Sequence, residues 1–141
     1  MSQTALFWPA FAQVVLTLVV MVAMGRARVR SVARRKQAID DVALNRAEDW
    51  DDEATKAANN YKNQFEMPVL FFAAITVGLS LKLADPVIVG LAWVFVAARV
   101  AHAVVHLTFN KIMVRGSIWL VSVAAILAMW IVMAIRVGTA G

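Results

Sequence analysis

The 141-residue chain is 62% hydrophobic with a mean hydropathy of +0.72, too apolar for an ordinary soluble domain and suited to one compact membrane unit. Its 14 basic and 9 acidic residues leave a net charge of +5, but the basic residues cluster beside apolar runs, which points to membrane topology and not to nucleic acid. Cysteine is absent, which excludes disulfides, thiolate metal sites and a cysteine nucleophile, so any thiol chemistry must use a thiol brought by a substrate.

Residues 4–24 are 21 in number and carry no charge. A hydrocarbon core of about 30 Å takes ~20 helical residues, so this run is long enough to span it. Trp8 and Pro9 stand early in the run as an interfacial anchor and a tolerated first-turn proline. No charged n-region or small-residue cleavage site marks a removable signal peptide, and the segment is expected to be retained. Helix 1 is therefore expected over about 4–25. Arg26, Arg28, Arg30, Arg34, Arg35 and Lys36 follow it at the head of a loop over 26–60. Short loops rich in Lys and Arg stay cytoplasmic.

Residues 40–53 hold seven of the nine acidic residues and Trp50, close enough in sequence to pair with the basic run. They read as a solvated loop with a short helix, a regulatory role being the lesser alternative. Helix 2 is expected over 61–83: Glu66 lies one residue before the uncharged run 67–81, and the span requires residues 61–65 to be helical already at the interface. Ala84-Asp85-Pro86 then forms a tight turn into helix 3, expected over 86–109, where Arg99 is the single formal charge. Helix 4 is expected over 115–137 and contains the uncharged run 116–135.

Continuous apolarity excludes a β-barrel, and short loops make neighbouring helices antiparallel. The expected fold is thus an all-α integral membrane protein, a four-transmembrane-helix antiparallel bundle forming a single domain over 1–141. The loop between helices 2 and 3 offers only Lys82 and the C-terminus only Arg136, which places both termini on the non-cytoplasmic side, with a bacterial inner membrane as the expected location.

Arg99, His102 and His106 are spaced by three and four residues, so they share one helical face. The topology puts them in one layer with Lys62, Glu66, Lys111 and Arg115. A guanidinium in a membrane costs at least ~2.5 kcal/mol, and Glu66 is the obvious partner for Arg99. The bland reading of that pair is a structural clasp. The surplus of cations, Arg99, Arg115 and Lys62 with Arg26 or Arg28 in addition, argues instead for an anionic guest. His102 and His106 without a third ligand do not make a metal site, and no metal is expected. Ser80, Ser117 and Ser122 lack a neighbouring histidine and an elbow motif, so a nucleophilic triad is not supported.

At these residues the chain resembles the MAPEG family, the membrane-associated proteins in eicosanoid and glutathione metabolism. The likeness rests on Asn63, Glu66 and Pro68, then Arg99-Val100-Ala101-His102, then Arg115 sixteen residues beyond Arg99, and covers nearly the whole chain in span order and loop lengths. It implies a homotrimer of four-helix subunits with glutathione in clefts between subunits near the cytoplasmic face. By the same resemblance Lys62, Asn63, Glu66, Arg99, His102 and Arg115 contact glutathione as co-substrate, Glu66 taking its amino group and the cations its carboxylates. Arg115 would hold the sulfur as thiolate, the catalytic role. A thiol of pKa near 8.5 needs such a permanent neighbouring cation at neutral pH. The chain departs from the family in three places: His106, kept here among the glutathione-binding candidates, replaces a tyrosine common in helix 3; Asn59 and Lys62 replace arginines; and Pro68 comes at least one residue early.

The leading expectation is a glutathione-dependent transferase or peroxidase acting on small lipophilic electrophiles that enter from the bilayer. The alternative is a non-catalytic membrane protein of the same fold, binding lipid or serving as a subunit of a larger complex. A 15.4 kDa bundle has little interior in which to hide Glu66, Arg99 and His102 together, so a three-fold homo-oligomer is expected. Ala73, Ala74, Gly78, Ala97 and Ala101 are the small residues expected to let its helices approach closely.

Overall fold

Helix α1 spans Phe7–Arg35, α2 Asp52–Lys62, α3 Met67–Ser80, α4 Pro86–Leu107 and α5 Ile112–Ala140. A computed structural model describes residues 2–44 and 46–140. Met1, Asn45 and Gly141, which fall within the domain expected over 1–141 and the loop expected over 26–60, lie outside the described residues. Short 3-10 turns fill the joints, Gln3–Leu6 before α1 and Asn63–Phe65 between α2 and α3 among them, and no strand occurs among the described residues. Helices α1, α4 and α5 are each long and apolar enough to cross a membrane.

The second pass is built differently from the continuous helix expected over 61–83. Helix α3 has 14 residues and rises about 21 Å, short of a ~30 Å hydrocarbon core, so the pass needs the preceding 3-10 turn to complete it. The chain leaves helical geometry at Glu66, whose φ is −92° and ψ −97°. Pro68 supplies the cause. It has no N–H for the carbonyl of Gln64 four residues back, and its ring crowds that carbonyl. The Val69 N–H donates instead to the Glu66 carbonyl at 3.2 Å, which opens α3.

Helix α1 runs ten residues past the expected end at Gly25, so five of the six basic residues lie on the helix and not in a loop. Lys36 closes it in the left-handed region at φ 52°, its N–H on the Val32 carbonyl. Alanine and arginine are strong helix formers, and the extension is supported by α2, since Ala27 packs with Ala54 and Ala57. The acidic segment pairs with the basic run as its proximity suggested. Glu53 accepts from Arg30 at 2.7 Å and from Arg34 at 2.8 Å, and Asp51 lies 2.8 Å from Arg34. Asp51 also caps α2 by accepting from the Ala54 N–H, while its own N–H donates to Ser31 Oγ at 2.9 Å.

The apolar core lies between α3, α4 and α5, with Leu6 from the first turn. Phe71 stacks on Phe95 with centroids 4.4 Å apart, and Ile88, Ala92, Ile126 and Met129 fill the surrounding space. A Cβ on Gly78 would come within 3.2 Å of Leu6 Cδ1. Gly78 and Ala74 therefore serve packing inside the subunit, contrary to their expected place between subunits; Ala73, Ala97 and Ala101 are exposed. Asp85 caps α4 by accepting from the Val87 and Ile88 N–H groups, and Arg136 reaches it from the far end of α5 at 3.2 Å. At the opposite end, Asn110 at φ 45° turns α4 into α5.

Candidate functional site

Near the break between α2 and α3, the Asn63 carbonyl accepts from Arg99 Nη2 at 2.6 Å. Arg99 projects from the inner face of α4 and is 0% exposed, yet its Nε and Nη1 have no hydrogen-bond partner among the described residues. His102 and His106 follow on the same buried face, their rings edge to face at 5.6 Å, and His102 Nδ1 is also without a partner among the described residues. From the first turn of α5, Arg115 donates through Nη1 to His106 Nε2 at 2.7 Å and to Asn110 Oδ1 at 2.9 Å. An imidazole that accepts at Nε2 while neutral keeps its proton on Nδ1, so the Asn63 carboxamide, whose nitrogen lies 3.4 Å from that atom, pairs with it only when its oxygen is turned toward the ring.

Five of the seven expected site residues, Asn63, Arg99, His102, His106 and Arg115, thus form one cluster drawn from α4, α5 and the 3-10 turn between α2 and α3. Arg115 sits where structure alone disfavours it, because a cation in the first turn of a helix opposes the macrodipole. The cluster leaves Arg99 Nε and Nη1 and His102 Nδ1 without partners among the described residues, and it holds no carboxylate.

Lys62 and Glu66 stand apart, both exposed. The expected Glu66–Arg99 clasp is not formed: Arg99 bonds to the Asn63 carbonyl, and Glu66, displaced from the helical path at the break, neither hydrogen-bonds nor ion-pairs with it. Its charge still contributes a favourable field at Arg99. Lys111 is exposed, and Arg28 lies over the Trp50 ring at 4.9 Å, away from the cluster.

A ladder of buried amides escaped sequence reasoning. Gln13 Nε2 donates to Gln64 Oε1 at 3.1 Å, Gln64 Nε2 reaches the Asn60 carbonyl at 3.4 Å, and Asn60 Nδ2 donates to the Ala103 carbonyl at 3.2 Å. All three side chains are buried, and together they fasten the α2–α3 junction to α1 and α4. The available signal was Gln13, the only carboxamide in the run 4–24, since a polar side chain inside a span rarely stands without a partner.

A comparison with curated proteins finds no match, and a comparison with solved structures finds none. The MAPEG family model matches residues 6–135, nearly the whole chain. The chain is therefore a member of the MAPEG family of membrane proteins of glutathione and eicosanoid metabolism.

Proposed function

We propose that this protein is a glutathione-dependent transferase or peroxidase that acts on small lipophilic electrophiles reaching it from the bilayer. The observation that carries the reading is the cluster itself, in which Arg115 donates to His106 beside Asn63 and Arg99 keeps two N–H groups without a partner among the described residues. A buried guanidinium with unpaired donors is expensive unless an anion completes it. Glutathione fits that demand, having two carboxylates for Arg99 and Lys62 and an ammonium for the exposed carboxylate of Glu66.

Bound glutathione would supply the thiol that becomes the nucleophile. The part of this chain is to lower the cost of its ionisation: Arg115 holds the sulfur as thiolate, and His106 and Asn110 fix the direction of the guanidinium. Arg99, His102 and Asn63 bind and orient the peptide. Lys62 and Glu66 lie at an open rim beside Phe65, Val69 and Leu70, all at least half exposed. A neighbouring subunit of a homotrimer closes this rim in our reading.

One observation favours the non-catalytic reading: Arg115 Nη1 is already occupied by His106 and Asn110, as a purely structural clasp would be. Ultraviolet absorbance of the thiolate on adding glutathione separates the two. Wild type should give the signal and conjugate a generic aryl halide, and Arg115→Leu should lose both, with about 10²–10³-fold less conjugation, the usual cost of removing one charge-stabilising donor. A wild type that gives neither signal at millimolar glutathione would sink the enzyme reading.

A further inference from the structure

Beyond the cluster around Arg115, a separate cleft of about 560 Å³ opens where the extension of α1, helix α2 and the end of α4 meet. Its walls include Arg26, Arg30, Asp52, Glu53 and Lys56, over a floor of the small residues Ala23, Ala27 and Ala57. The charges there are not equivalent. Glu53 is engaged by Arg30 and by Arg34, at 2.7 and 2.8 Å. Arg26 and Lys56 take part in no hydrogen bond or ion pair among the described residues, although Lys56 is half-buried and Asp52 stands one helical turn before it. Two cations on facing helices, Arg26 and Lys56, therefore line a cleft whose one carboxylate outside the Arg30–Glu53–Arg34 pairing is the exposed Asp52.

The cleft continues into an apolar groove of about 450 Å³ along α1, lined by Val15, Leu18, Val19, Val22, Ala23 and Arg26. Ala23 and Arg26 belong to both. These residues recur at three- and four-residue steps and make one stripe of the helix. From Val15 to Arg26 the stripe rises about 16 Å, half of a ~30 Å hydrocarbon core and so the depth of one leaflet.

We propose that this continuous surface is a binding site for an anionic phospholipid of the adjoining leaflet, its headgroup phosphate between Arg26 and Lys56 and one acyl chain along the α1 stripe. The cationic pair sits at the polar end of the groove, where a headgroup lies, and the groove ends where a leaflet's chains end. A soluble anion would use the cations and leave the stripe idle. A zwitterionic lipid would use the stripe and bring a third cation to Arg26 and Lys56.

The test uses the full chain purified in detergent, with phosphatidylglycerol or phosphatidylcholine added and bound lipid counted by native mass spectrometry. Wild type should retain one phosphatidylglycerol per subunit in preference to phosphatidylcholine. Arg26→Gln with Lys56→Gln should lower that occupancy at least tenfold, whereas the charge-keeping pair Arg26→Lys with Lys56→Arg should preserve it. Arg35→Gln removes one charge from the exposed basic run outside the cleft and should change nothing. Equal retention of the two lipids, an equal loss in Arg35→Gln, or displacement of the lipid by millimolar inorganic phosphate would each overturn the proposal. A change in the mass of the assembly in the Gln pair, without loss of lipid, would assign the cleft to a second subunit and overturn it as well.

Discussion

Arg115 donates to His106 across the turn between α4 and α5, Nη1 to Nε2 at 2.7 Å, so the orientation of the expected catalytic cation depends on a histidine nine residues earlier. Replacing that acceptor tests the dependence. His106→Phe should leave the helical content intact and cost roughly tenfold in conjugation rate, the kinetic equivalent of one hydrogen bond of about 1.4 kcal/mol. His106→Gln keeps an acceptor and should recover most of the rate. Equal activity in wild type and His106→Phe would remove His106 from the site.

For Glu66→Gln the sequence alone suggests a large loss of stability through an orphaned Arg99. The exposed, unpaired carboxylate found here leads to the opposite expectation, a change within about 0.5 kcal/mol in chemical denaturation. Glutathione affinity should nonetheless fall, because the variant no longer offers a charge to the peptide's amino group. Marked destabilisation would restore the clasp.

The amide ladder gives a non-additive signature. Gln64→Leu leaves Gln13 and Asn60 short of partners and should cost about 1–3 kcal/mol, the penalty for stranded buried polar groups. Adding Gln13→Leu to it should recover part of the loss, since the second change removes one stranded group, and a double-mutant cycle measures this coupling. Simple additivity would show that the two side chains do not meet.

Acid should loosen the junction between α1 and α2. The Ala54 N–H bonded to its side chain, with Arg34 nearby, holds the Asp51 carboxyl below its ordinary range. Because its folded value is the lower one, the contribution is fully present above the unfolded value near 3.9 and is lost as the pH falls through the folded value. Asp51→Ala should remove this acid dependence and cost about 1 kcal/mol at neutral pH through the lost N-cap. Unfolding curves identical for both proteins at pH 3 and pH 7 would contradict it.

The orientation is open to a labelling test, since the chain has no native thiol. Ser31 is buried and bonded to Asp51, so exposed Arg35 is the better reporter for the basic end, and exposed Lys82 for the opposite turn. Arg35→Cys should react with an impermeant reagent only from the cytoplasmic side, and Lys82→Cys only from the other. Labelling of Arg35→Cys from outside intact cells would invert the topology.

The sequence by itself determined the three long spans, the shared face of Arg99, His102 and His106, and the family, because run length and helical period are local properties of the chain that no tertiary contact is needed to establish. Only the tertiary structure decided how those residues pair. Arg99 had a carboxylate and a backbone carbonyl within reach, and the break imposed by Pro68 turned Glu66 outward while leaving the Asn63 carbonyl 2.6 Å from the guanidinium. It also decided the length of α1. The charges of residues 26–36 read as a loop until α2 folds back to bury Ala27 and places Glu53 against Arg30 and Arg34, contacts between segments too far apart in sequence for any local pattern to encode.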